Sequence, residues 1–287
     1  MPDQGNRALV ILGAGVMGTA IAVTAAGHGL PVVLVETDED ARKRAQGRMT
    51  QHFRHARLLG ALPADREPAE VVVSAVPDAA AGAAVVIEAV TEQFDTKARA
   101  LAQVAGLVSA GTRLVTNTSS IPVDELASTL PQPQDLVGVH FMNPTYLIDQ
   151  VELVRGPHSS EAAVADVTAL LRRMGRRPVV VRDSPGFVTS RLLHPMINDA
   201  VRLVDQGVAT AEEVDTLMQG CLGHRTGPLR TADLIGLDNL ADSLTVLFER
   251  FGDERCRPAD LLLRKVRTGH LGRKTGQGFY DYKEALS

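Results

Sequence analysis

Through the first half of the chain, short runs of β-branched and aliphatic residues alternate with longer stretches whose apolar positions recur at helical spacing. The runs are Ala8–Leu12, Pro31–Glu36, Val71–Ser74, Val85–Val90, Arg113–Thr116 and Leu136–Phe141. Between them lie the helix-compatible stretches Val16–His28, Asp40–Leu59 and Thr96–Ser109, and an alanine-rich Asp78–Ala84 that reads as a short loop or helix. Val151–Arg155 and Pro178–Val181 add two more strand-like runs. Such alternation predicts an α/β fold, a mostly parallel sheet with helices on both faces.

The rhythm changes at Asp183-Ser184-Pro185-Gly186-Phe187, where Ser before Pro marks a turn and a helix start. Beyond it the pattern is helical: Val188–Asp205, Ala211–Gly220, Leu229–Glu249 and Pro258–Thr268. The expected organisation is therefore an α/β domain over residues 1–183 and an all-α domain over 184–287. In the first of these later helices Leu192, Met196, Ile197, Ala200 and Leu203 form an apolar stripe, suited to the domain's own core or to a partner subunit.

Composition narrows the possibilities. A length of 287 residues fits one large or two ordinary domains, and 45% hydrophobic residues suffice for real cores. A net charge of −4, with no Trp and only 3% aromatics, gives no reason to expect a nucleic-acid partner. Cys221 and Cys256 show no metal-type spacing and read as reduced thiols. Met1–Arg7 is polar, the apolar run behind it is too short for a signal peptide, and no 18-residue apolar run follows. A cytoplasmic protein with no membrane span and no metal is expected.

Gly13-Ala14-Gly15-Val16-Met17-Gly18 follows the first strand and opens the first helix. Gly13 suits the tight turn, Gly15 a close approach to a pyrophosphate, and Gly18 close packing of helix on strand. The helix N-terminus beginning near Val16 and Met17 would receive the phosphates. The second strand ends in Glu36, whose carboxylate can bond ribose hydroxyls and would repel the 2′-phosphate of NADP. The expected cofactor of this Rossmann-type fold is NAD.

Hydride removal from an alcohol needs a base for the hydroxyl proton, and imidazole titrates near neutral pH. Of the eight histidines, His140 ends the strand Leu136–Val139, at the edge where open α/β sheets bind ligands, and Asn143-Pro144 follows at once. Glu152 opens the next strand-like run, and a carboxylate on one ring nitrogen would fix the tautomer and support the imidazolium. Spacing alone leaves the pair open against a structural histidine and a surface glutamate.

Gly138-Val-His-Phe-Met-Asn-Pro144 with Val151-Glu-Leu-Val154 resembles the signature of the L-3-hydroxyacyl-CoA dehydrogenase family, including its short 3-hydroxybutyryl-CoA dehydrogenases. The resemblance runs along the whole chain through Gly13–Gly18, Glu88-Ala89-Val90, Asn117-Thr118-Ser119-Ser120, Ser184-Pro185-Gly186-Phe187, Gly227-Pro228-Leu229, Asp233–Asp238 and Lys274–Tyr280. It implies hydride transfer between NAD and the 3-position of an acyl thioester, with His140 as general base and Glu152 as its orienting partner. It also implies that Ser119 bonds the reacting oxygen, that Asn143 holds the substrate carbonyl, and that Glu92, Lys97 and Asn117 lie at the cofactor. A homodimer through the helical domain is implied too.

Two departures bear on the substrate. Ser190 stands where the family has an Asn that reaches the active site, so a substrate contact is altered. The segment between Glu36 and Glu92 is shorter than in coenzyme-A enzymes, yet basic through Arg42, Lys43, Arg44, Arg48, Arg54 and Arg57. His140–Pro144, Gly223–Asp238, Arg257-Pro258 and Leu271–Lys274 are similar to a subgroup that acts on hydroxyacyl units held by an acyl carrier protein, on the route to methoxymalonyl units in polyketide biosynthesis; with Ser190 and the shortened basic segment, this favours a carrier-bound unit over free coenzyme A. Asn143–Leu147 instead resembles carnitine and gulonate dehydrogenases, whose substrates are not thioesters. A non-catalytic, crystallin-like role would predict loss of the base or its partner. A 6-phosphogluconate-type enzyme would need a lysine that Ser184–Pro195 lacks.

Overall fold

The computed structural model describes residues 8–282; the reading of Met1–Arg7 lies outside them. The chain divides into two compact units, Met1–Ser184 and Pro185–Ser287. The first holds one eight-stranded sheet with strands β1 (Leu9–Leu12), β2 (Val32–Val35), β3 (Val71–Ser74), β4 (Val85–Glu88), β5 (Arg113–Thr116), β6 (Leu136–His140), β7 (Gln150–Arg155) and β8 (Arg177–Arg182). Their order is β3-β2-β1-β4-β5-β6-β7-β8. All neighbouring pairs are parallel except β6 and β7, which run antiparallel.

Five helices accompany the sheet: α1 (Val16–Gly27), α2 (Glu39–Leu58), α3 (Phe94–Ala105), α4 (Val123–Ala127) and α5 (Glu161–Arg173). α5 is absent from the helices expected above. Its signal was present: Ser160 caps it by accepting from the Ala163 amide, and Ala163, Val164, Val167, Leu170 and Leu171 form the buried stripe. Asp78–Ala84 holds only a short 3₁₀ turn over Pro77–Ala80.

The two faces of the sheet carry different cargo. Ile11, Leu34, Ile87, Val115, Val137, Val139 and Leu153 pack in one apolar cluster with Ile21 of α1, Met49 of α2 and Val167 and Leu171 of α5. Because side chains alternate along a strand, Glu88, Thr116, Gly138, His140 and Glu152 belong to the other face. There α3 packs on β4 and β5, and α4 on β6. Gly138 makes that packing possible, since a Cβ at this position would lie 2.6 Å from a Val123 methyl.

The second unit consists of α6 (Thr189–Asp205), α7 (Ala211–Leu222), α8 (Pro228–Ile235), α9 (Leu237–Phe251) and α10 (Asp260–Arg267). The single helix expected over Leu229–Glu249 is two helices, broken at Gly236, whose φ of +97° lies in the region that favours glycine. The apolar stripe of α6 divides: Ile197 and Ala200 are in the unit's core, whereas Leu192 is 71% and Leu203 41% exposed. Among the described residues no helix is long and apolar enough to cross a membrane, and no group of His, Cys, Asp and Glu is arranged to hold a metal ion.

Candidate active site

Leu12, Glu88, Thr116 and Gly138 are register neighbours across β1, β4, β5 and β6. The segments that follow these parallel strands therefore leave from one edge, and β1 and β4 meet where the strand order reverses.

At the β1 exit, Gly13 has φ +94°, and a Cβ there would lie 2.8 Å from the Ala89 carbonyl oxygen. A Cβ on Gly18 would lie 1.8 Å from the Gly13 carbonyl, so both positions require glycine. Gly15 is different: a Cβ there meets nothing within 4 Å, and a side chain would occupy the open space in front of the helix. α1 has neither an acidic residue in its first turn nor a side-chain cap, and Val16 beside it is exposed. An uncapped N-terminus facing open space fits the pyrophosphate of a dinucleotide. Glu36 closes the turn from the β2 end, with Oε2 accepting from the Ala14 amide at 2.9 Å and Oε1 from the Asp38 amide at 3.0 Å. Arg48 of α2 donates to the Ala14 carbonyl at 3.2 Å.

Further along the edge, His140 and Glu152 face each other directly across the antiparallel pair. Both are buried, and His140 Nδ1 lies 2.7 Å from Glu152 Oε2. The ladder itself sets the distance, because directly opposed side chains on one face are nearest neighbours. The Asn117 side chain, leaving β5, accepts from the Phe141 amide at 3.2 Å and ties the β5 and β6 exits together. Asn143 is exposed in the loop beyond. That loop is anchored by Arg176, which donates to the Thr145 and Ile148 carbonyls at 2.5 and 3.0 Å, and by a 2.7 Å contact between the Thr145 and Thr24 hydroxyls.

Glu92 and Lys97 are not the solvated pair that a sequence reading would also allow. The Lys97 side chain is fully buried between Glu88 Oε1 at 2.9 Å and Glu92 Oε2 at 3.2 Å. Burial pushes the ammonium down, but the two carboxylates outweigh it and hold the Lys97 pKa above its ordinary value. Burial likewise pushes Glu92 up, and Lys97 with the bonds from Thr118 and Ser119 outweighs it, leaving Glu92 below the usual carboxylate range. Ser119 stands in the turn after β5, its amide 2.8 Å from Glu92 Oε1. Glu88 had been read only as part of a motif. The signal for its role was an acid closing the otherwise apolar strand Val-Val-Ile-Glu.

Four of the seven other histidines lie against partners away from the His140–Glu152 pair. His28 Nδ1 lies 2.8 Å from the Thr24 carbonyl, His55 Nδ1 3.0 Å from the Tyr146 hydroxyl, and His158 Nδ1 2.5 Å from Asp124. In the second unit, His194 Nδ1 lies 2.7 Å from the Ser243 hydroxyl, and Ser190 is buried in the first turn of α6.

Residues 8–184 match the model described as 3-hydroxyacyl-CoA dehydrogenase, NAD binding domain, and residues 186–282 match its C-terminal domain. This chain belongs to the 3-hydroxyacyl-CoA dehydrogenase family. It is 38% identical to a probable 3-hydroxybutyryl-CoA dehydrogenase of Bacillus subtilis, over 98% of this chain and 99% of that one. The crystal structure of FadB2 from Mycobacterium tuberculosis superposes with a TM-score of 0.90 at 35% identity, covering 96% of this chain and 99% of that one. That of (S)-3-hydroxybutyryl-CoA dehydrogenase from Ralstonia eutropha gives 0.85 at 36%, covering 97% and 100%. As a member of the 3-hydroxyacyl-CoA dehydrogenase family the chain is an NAD-dependent oxidoreductase, and its first unit is the family's NAD-binding domain.

Proposed function

We propose that this chain oxidises the 3-hydroxyl of a short 3-hydroxyacyl-CoA such as 3-hydroxybutyryl-CoA, and reduces the 3-ketone in the reverse direction. The observation that carries the reading is the buried 2.7 Å contact of His140 with Glu152 at the strand edge that also bears the glycine turn. Glu152 fixes the imidazole tautomer through Nδ1, so that Nε2 takes the hydroxyl proton, and supports the imidazolium that results. Ser119 donates to the reacting oxygen, Asn143 holds the thioester carbonyl, and Asn117 keeps the two exits in place. Gly13, Gly15, Gly18 and the amides of Val16 and Met17 hold the dinucleotide, and Glu36 its adenosine ribose. NAD supplies the hydride acceptor when bound.

The coenzyme-A reading is supported by the relatives' names and by their full-length coverage. A unit carried by an acyl carrier protein is the second reading, and the basic face of α2 bears on it. Arg42 donates to the Glu36 and Thr37 carbonyls, Lys43 pairs with Glu39, Arg48 with the Ala14 carbonyl and Arg57 with Glu67. Arg44 and Arg54 are exposed, and an acidic carrier would find its charge partners chiefly there. We further propose a homodimer, supported by exposed Leu192 and Leu203 on α6. A monomer mass by light scattering at micromolar concentration would reject it.

The test is NADH absorbance with the purified protein, NAD and either 3-hydroxybutyryl-CoA or a hydroxyacylated carrier protein. Faster turnover of the coenzyme-A substrate is expected. A preference for the carrier-bound substrate would overturn the choice of carrier. Turnover of a carnitine- or gulonate-type alcohol alone would overturn the thioester, and no turnover at all would favour a non-catalytic role.

A further inference from the structure

Beneath the Ser119 turn lies a group of buried charges that proton transfer at His140 does not use. The side chains of Lys97 and Glu88 are both 0% exposed. Well-packed apolar residues would fill that volume at least as stably as a buried ion cluster, so stability alone does not account for it.

The bonding is directional. The Lys97 ammonium has three protons, and three acceptors surround it: Glu88 Oε1 at 2.9 Å, Glu92 Oε2 at 3.2 Å and the Val90 carbonyl at 3.3 Å. All three are thereby committed inside the protein. Glu88 is fixed in turn by the Thr116 hydroxyl at 2.7 Å and the Val90 amide at 2.7 Å. Glu92 points its other oxygen outward, where Oε1 accepts from the Thr118 hydroxyl at 2.5 Å, the Ser119 amide at 2.8 Å and the Ser120 amide at 3.2 Å. The Ser119 and Ser120 hydroxyls lie further from the same atom, at 3.3 and 3.4 Å. The shorter bonds satisfy Oε1 and pin the turn by its backbone. The Ser119 hydroxyl is left only weakly engaged, ready to turn to another acceptor.

We propose that Glu88, Lys97 and Thr116 are positioning residues that act through Glu92 on the 118–120 turn and thereby present the Ser119 hydroxyl to the reacting oxygen. The role of Ser119 in this inference rests on the function proposed above. Lys97, whose side chain is fully buried, acts on the turn through Glu92.

Two measurements on the full chain test it. The first is hydrogen exchange of backbone amides without substrate, in the parent, Lys97→Met and the isosteric Thr116→Val. The Ser119 and Ser120 amides should exchange about tenfold faster or more in both variants, while those of Ile87 and Val115 keep their protection. The second is a kinetic cycle of Lys97→Met with Ser119→Ala. Each single change should lower kcat roughly 10–10²-fold, the double should fall little further than Ser119→Ala, and NADH affinity by fluorescence should stay within about threefold. Unchanged exchange, or losses in kcat that multiply, would overturn the proposal, as would a lost NADH affinity with kcat intact. Should Lys97→Met fail to fold, Thr116→Val carries both measurements. If the parent turns over no hydroxyacyl thioester, the function reading fails, while the exchange measurement still decides whether these residues hold the turn.

Discussion

In the first unit the motif residues converge on one edge of the sheet: the Gly13–Gly18 turn, Glu36, Glu92, Ser119 and His140 all leave the strand ends together. In the second unit two carboxylates, Asp233 of the Asp233–Asp238 motif and Asp215 of α7, turn inward. Asp233 accepts from the Phe279 and Tyr280 amides at 2.9 and 3.0 Å and from the Tyr282 hydroxyl at 3.1 Å. Asp215 accepts from the Leu229 and Arg230 amides at 2.8 and 2.9 Å and from the Tyr280 hydroxyl at 2.8 Å. The Arg230 guanidinium stacks 4.0 Å over the Tyr280 ring. These carboxylates bind the C-terminal segment to the helices. A motif string can thus mark either a reaction or a seam in the fold, and the source of each carboxylate's donors tells which.

The sharpest break of this comparison is His140→Ala. Turnover should fall roughly 10²–10⁴-fold with little change in melting temperature, and Glu152→Gln should be nearly as harmful. Turnover within a factor of a few of the parent would remove His140 from the chemistry. Asp233→Ala should do the reverse. It strands two part-buried amides and should cost about 1–3 kcal/mol in denaturant unfolding, with kcat per folded molecule close to the parent. A lost kcat at unchanged stability would place Asp233 with the reacting groups.

Acid should pull the two units in opposite directions. The Glu92 pKa is held below its unfolded value, so its contribution is present above about 4.5 and fades as pH falls through the folded value. Burial raises Asp233 above its unfolded value, with the bonds from Phe279, Tyr280 and Tyr282 only partly offsetting it. Its contribution is full below about 3.8 and declines as pH rises through the folded value. Exchange protection, corrected for intrinsic rates, should therefore fall at Ser119 and Ser120 on acidification below about 4.5 and hold at Phe279 and Tyr280. A parallel fall in both would deny the contrast. The smallest effect is expected at Glu36, where Glu36→Ala should narrow the preference for NAD over NADP by relieving repulsion of the 2′-phosphate. Equal use of both cofactors by the parent would remove Glu36 from that role.

Much of this was legible in the residues. The parallel strands, the glycine turn with Glu36, and the helical second half all follow from apolar spacing and turn chemistry. The antiparallel direction of β7 did not, because a strand-like run carries no arrow. The signal lay in length: positions 141–149 are too few for the crossover that a parallel neighbour requires. The roles of Glu88 and Lys97 were hidden because lysine in a helix normally means solvent, and its burial depends on a partner one strand away. The break between α8 and α9 was missed because a single glycine inside a periodic pattern is also compatible with an uninterrupted helix.

Direct opposition of His140 and Glu152 makes the pair a parity check on chain pairing. Shifting β7 by one residue would set Val151 or Leu153 opposite His140 and turn the carboxylate to the face that packs on α1 and α5. Removing one residue within Gln150–Val151 invites that slip, whereas a change of length inside the preceding loop alters only how the chain arrives. A molecule that assembled one step out of phase would keep its sheet and its histidine and lose the carboxylate that orients it. Activity in this chain therefore counts molecules paired in the right phase, which spectroscopic measures of strand content cannot do.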